Sequence, residues 1–108
     1  MSSWVRVRFQ HLRRWREYAA MVARAARDVV PGARVYVVGG VAEGRVTVLS
    51  DIDILVVVPR GRLRRGLYTE IMARAMDAYG LPFDAPVELH IVEEGGEARY
   101  KSRVEVNW

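Results

Sequence analysis

Two carboxylates, Asp51 and Asp53, head a run that is otherwise apolar, Ile54-Leu55-Val56-Val57-Val58. Side chains alternate faces along a strand, so this spacing predicts both acids on one face and Ile52 and Ile54 on the other. Like charges about 4 Å apart repel by roughly 4 kcal/mol at an effective dielectric of about 20. A divalent cation turns that repulsion into attraction, and hard carboxylate oxygens suit Mg²⁺. Upstream, Gly39-Gly40 ends a second apolar run, Val35-Tyr36-Val37-Val38. A glycine turn there can offer backbone N–H groups to phosphate oxygens. Metal ligands beside a phosphate cradle point to nucleotide chemistry.

Positioning these residues takes a strand on each side of a loop. Residues 34–38 and 52–58 read as strands, with a loop over 39–50 that has Gly44 midway; Pro59 closes the second strand. Ahead of them, Phe9, Leu12, Trp15, Tyr18, Ala19, Val22, Ala26 and Val29 recur at three- and four-residue steps. That period predicts one amphipathic helix over 5–30, stopped by Pro31-Gly32, with Arg13, Arg14, Arg24 and Arg27 largely off its apolar stripe. Arg60 to Arg65 reads as a basic turn. A second helix is expected from 63 or 67 to 79 through Leu67, Ile71, Ala75, Met76 and Tyr79, ended by Gly80 and Pro82. A third strand is expected over 86–92, and a tail with a short helix over 94–108. The second helix crosses between strands two and three, which makes the chain α+β: a small mixed sheet with flanking helices. The expected organisation is a single domain over 1–108, with the N-terminal helix at 5–30, a core at 34–93 and the tail at 94–108.

Composition narrows the classes. At 108 residues and 51% apolar, the chain is sized for one core and too apolar for disorder. No apolar stretch is long enough for a membrane span, no leader pattern is present, and cysteine is absent, so a cytoplasmic protein without disulfides, thiolate zinc or a thiol nucleophile is expected. The net charge is +4, and of 17 basic residues only Lys101 is lysine. Arginine grips phosphate bidentately, which keeps RNA in view. The arginines occur in nearly every segment, which a general compositional bias also produces.

Taken together, Gly39-Gly40, Gly44, Ser50-Asp51-Ile52-Asp53 and the apolar flanks resemble the minimal nucleotidyltransferase domains of the DNA polymerase β-like superfamily. The resemblance spans about residues 34 to 100. It implies that fold and a third acid on a later strand, for which Glu88 in Val87-Glu88-Leu89-His90-Ile91-Val92 is the match; Asp84 and Glu93 are the nearby alternatives. It also implies transfer of a nucleoside monophosphate from an NTP, with two Mg²⁺ ions held by Asp51, Asp53 and Glu88. Gly39, Gly40 and Ser50 would hold the outgoing phosphates, with Arg45 as a further triphosphate contact. Gly40 stands where many members have serine, and Glu88 where aspartate is frequent. His90 shares a face with Glu88 and reads either as a hydrogen-bonded strand histidine or as a contact to phosphate or acceptor, or a proton relay. His11 reads as a surface residue, and Trp4, Trp15 and Trp108 as core or interface.

Larger members of the superfamily carry extra domains for primer or tRNA, so the acceptor here is expected to be separate. Minimal members commonly pair with an all-helical HEPN protein in toxin–antitoxin modules. The resemblance therefore implies an antitoxin that transfers AMP from ATP onto a HEPN toxin. The alternative is a non-catalytic module that neutralises the RNase by occlusion. Apolar candidates such as Trp4, Tyr100 and Trp108 would serve such an interface, or a homodimer.

Overall fold

The apolar stripe of the N-terminal segment buries as its period predicts, but on two helices rather than one. The computed structural model describes residues 3–47 and 49–108; residues 1, 2 and 48, the last inside the expected loop, lie outside it. Helix α1 covers Ser3–Arg13 and α2 covers Trp15–Val29. At Arg14 the backbone tightens: its N–H donates to the His11 carbonyl at 3.0 Å, three residues back, before Tyr18 N–H resumes on the Arg14 carbonyl at 3.1 Å. No glycine or proline forces this break. The Arg14 guanidinium binds Glu17 at 2.8 Å across the start of α2, and the break aims α1 toward the loop before the second strand.

The strands are β1 (Arg34–Val38), β2 (Ile52–Val58), β3 (Val87–Glu93) and β4 (Val104–Glu105). A short helix α3 covers Gly39–Ala42, α4 covers Leu67–Tyr79, and a 3₁₀ turn covers Gly96–Arg99. The sheet order is β3-β2-β1-β4. β1 runs antiparallel to β2 and β4, while β2 and β3 are parallel, as the α4 crossover between them requires. This is the α+β architecture expected, with β1 and β2 at their predicted bounds and β3 one residue later than predicted.

One face of the sheet carries Val35, Val37, Ile52, Ile54, Val56, Val58 and Leu89 against α2 and α4. Ala19, Ala23 and Ala26 are fully buried there, so α2 has no bulk to hold it off the sheet. The other face carries Tyr36, Val38, Leu55 and Val57; the hydrophobic side chains Val92 and Tyr100 pack on them, and Arg103 lies over the Tyr36 ring. Asp53 heads that second row. The tail differs from expectation: besides its 3₁₀ turn it supplies β4, pairing Tyr36 with Glu105 and Val37 with Val104. Buried Val106 donates to the Val35 carbonyl at 2.8 Å, and Arg27 donates to the Val106 carbonyl at 2.6 Å. No helix among the described residues is long and apolar enough to cross a membrane.

Candidate active site

The parallel register sets Asp53 on β2 directly beside Glu88 on β3 and Leu55 beside His90. With two residues per repeat, Asp53, Glu88 and His90 all rise from the less covered face. Their ligand atoms lie within 4.8 Å of one another. His90 Nε2 is 3.4 Å from Asp53 Oδ1, and the His90 ring packs against Tyr100 with centroids 6.1 Å apart. Asp53 and His90 are half-buried and Glu88 is exposed, so the group is anchored at one side and open at the other. Of the three candidate acids on this segment, Glu88 therefore faces Asp53. Glu93 is opposite Val58, and Asp84 pairs with His11.

The glycine pair comes up against the same carboxylate. Gly39 has φ +70°, and a Cβ there would run into Asp53 Oδ2. Gly40 abuts the loop: a Cβ would lie 2.7 Å from the Arg45 carbonyl oxygen, while Arg45 N–H donates to the Gly40 carbonyl at 2.7 Å. The serine common at this position elsewhere would not fit this loop. Ser50 stabilises the loop from its other end, its Oγ accepting from Thr47 N–H at 2.8 Å. The Arg45 side chain is largely exposed and pairs with Glu43 rather than reaching Asp53 or Glu88.

Asp51 is placed differently from Asp53. It precedes β2, is exposed, and is not in the group of three. Arg8 Nη2 on α1 lies 3.0 Å from Asp51 Oδ1 and 3.1 Å from the Ser50 carbonyl. The cation beside Asp51 in this structure is thus a guanidinium. Sequence reasoning missed Arg8, whose partner is 43 residues away.

A mixed cavity of about 350 Å³ adjoins Arg8, lined also by Trp4, Val7, His11, Asp84 and Pro86. His11 is not the surface residue expected. Its Nδ1 lies 2.5 Å from the Tyr18 hydroxyl and its Nε2 3.4 Å from Asp84. Burial pushes the Tyr18 hydroxyl above its ordinary pKa, partly offset by Arg14. Trp4 is well exposed, whereas Tyr100 packs on the sheet. Trp108 sits edge-on to Trp15 and donates to the Arg16 carbonyl at 3.0 Å.

The donor set fits a divalent cation: two carboxylates on adjacent strands and an imidazole converge, and Gly39 leaves the Asp53 carboxylate its space. Comparison with known proteins bears on the fold and the family. A search of curated protein sequences gives no match. A solved structure from Sulfolobus solfataricus, described as a candidate nucleotidyltransferase, shares the fold with a TM-score of 0.66 at 20% identity, over 97% of this chain and 87% of that one. The family model for the nucleotidyltransferase domain matches residues 20–107, the segment that contains the glycine turn, Asp53 and Glu88. By that match the chain belongs to the nucleotidyltransferase domain family.

Proposed function

We propose that this domain uses Mg²⁺ to transfer AMP from ATP onto a partner protein, a HEPN-type toxin, as the antitoxin of the pair. The observation that carries the reading is the pairing of Asp53 with Glu88 across β2 and β3, with the Gly39 turn pressed on Asp53. Asp53 and Glu88 would hold the divalent ions, joined by Asp51 once it exchanges Arg8 for metal. Held by those residues, the ions would supply charge to neutralise the triphosphate and lower the pKa of the attacking hydroxyl. The chain's own part is to orient. Gly39 and Gly40 let backbone approach the phosphates, and Ser50 fixes the loop that faces them. The acceptor oxygen bonds to the α-phosphorus as the bond to pyrophosphate breaks, and its proton leaves to a carboxylate or solvent.

The exposed apolar side chains Trp4, Val7 and Leu49 lie on α1 and on the loop that Arg8 grips, and Phe83 lies next to Asp84 at the cavity. That distribution supports a protein acceptor approaching the site from this end. One observation favours the occlusion alternative: Asp51 already has a structural role in its pair with Arg8. Incubation with α-labelled ATP and Mg²⁺, with and without the product of the adjacent gene, separates the readings. Label on the partner that disappears with Asp53→Asn is the expected result. Complex formation without label, unchanged by Asp53→Asn, would replace transfer with occlusion.

A further inference from the structure

We infer that His90 is a nitrogen ligand of the metal centre, so that this site binds transition-metal divalents through a mixed oxygen and nitrogen set. The inference rests on the functional reading for the presence of a metal and goes beyond it in ligand and metal identity. His90 Nε2 lies 3.4 Å from Asp53 Oδ1, and one ligand atom from each of Asp53, Glu88 and His90 falls within 4.8 Å of the others. Ligand atoms around one shared ion stand at such separations. The three residues come from two rigid, parallel-paired strands, not from mobile loops, so the juxtaposition is fixed by register. Tyr100 packs against the imidazole and Gly39 against the Asp53 carboxylate, which limits how far either ligand can turn away. Glu88 is exposed and leaves a path from solvent.

Asp51 adds weight to this assignment. Its carboxylate is occupied by Arg8, so the donors that converge without rearrangement are Asp53, Glu88 and His90. A purely carboxylate centre suits Mg²⁺, whereas imidazole suits the later first-row ions, whose affinities rise from Mn²⁺ through Co²⁺ to Ni²⁺. A hydrogen-bonded His90–Asp53 pair with no metal role is the competing account, and it predicts no dependence of metal preference on His90.

The test uses metal-stripped full chain titrated with Mg²⁺, Mn²⁺, Co²⁺ and Ni²⁺ by calorimetry, with the visible absorption of Co²⁺ as a second readout. Wild type is expected to bind Ni²⁺ and Co²⁺ more tightly than Mg²⁺. His90→Gln should lose about tenfold or more in Ni²⁺ affinity and alter the Co²⁺ spectrum, with Mg²⁺ affinity little changed. His90→Asp restores an oxygen donor and should keep Mg²⁺ while losing the Ni²⁺ preference; its circular dichroism guards against misfolding. A triple variant, Asp53→Asn with Glu88→Gln and His90→Gln, removes all three donors but retains His11 and so measures binding away from the site. Ni²⁺ affinity and a Co²⁺ spectrum unaffected by both His90 variants would overturn the inference. Binding of ATP with Mg²⁺ is measured alongside. Its absence would defeat the transferase reading while the Ni²⁺ comparison still decides the role of His90.

Discussion

Gly39 governs how closely the turn after β1 can approach Asp53. Its φ of +70° is unfavourable for any L side chain, and a Cβ would meet the carboxylate itself. Gly39→Ala should therefore cost about 1–3 kcal/mol of stability. It should also weaken Mg²⁺ binding, since Asp53 must turn to make room. Chemical denaturation and calorimetry on the same variant check the two effects separately. Arg8 has the opposite sign. Its pair with Asp51 is partly exposed, so Arg8→Ala should change stability by no more than about 1 kcal/mol. Removing that cation frees Asp51, and Mg²⁺ affinity is expected to rise. A fall in affinity would mean that Arg8 positions Asp51 for the ion instead of competing with it.

Helices α2 and α4 are clasped at their exposed side by Asp28. Its carboxylate accepts from Tyr79 Oη at 2.5 Å and from Arg74 Nε at 3.0 Å. The Tyr79 hydrogen bond first, then Arg74, hold the Asp28 carboxyl below the usual carboxylate range. A depressed folded-state pKa stabilises above the unfolded value and is lost as pH falls through the folded one. Wild type should thus lose stability on acidification in a step that Asp28→Asn lacks, read as thermal midpoint against pH. None of these partners could be paired from sequence, because the helices that bring them together are far apart along it. The strands were legible: Val35–Val38 and Ile54–Val58 are apolar runs with turns at their ends. The break at Arg14 was not, since Leu12, Trp15 and Tyr18 keep helical spacing through it. β4 was hidden because a two-residue ladder carries no period. At the site, the glycine pair and Asp53 were legible by spacing and Glu88 by resemblance. The attachments of Asp51 to Arg8 and of His11 to Asp84 needed three dimensions.

Across the whole molecule six of the 16 arginines sit in ion pairs, and these pairs lie on different elements. Arg8, Arg14, Arg34, Arg45, Arg64 and Arg74 each meet an acid among the described residues. That distribution fits a general arginine usage better than one dedicated RNA-binding face. Among the exposed apolar side chains of the described residues, Phe83, Leu49 and Trp4 are the most exposed. The sheet itself is begun by β1 and completed on that strand's other side by β4, roughly seventy residues later. During synthesis β1 remains an open edge until residues 104–106 emerge from the ribosome. An unpaired edge is a template for other nascent chains. Deleting residues 104–108 leaves Asp53, Glu88 and His90 in place in the sequence but exposes that edge. The expected loss is in soluble yield, measured by fractionating freshly made protein, more than in the metal affinity of whatever folds.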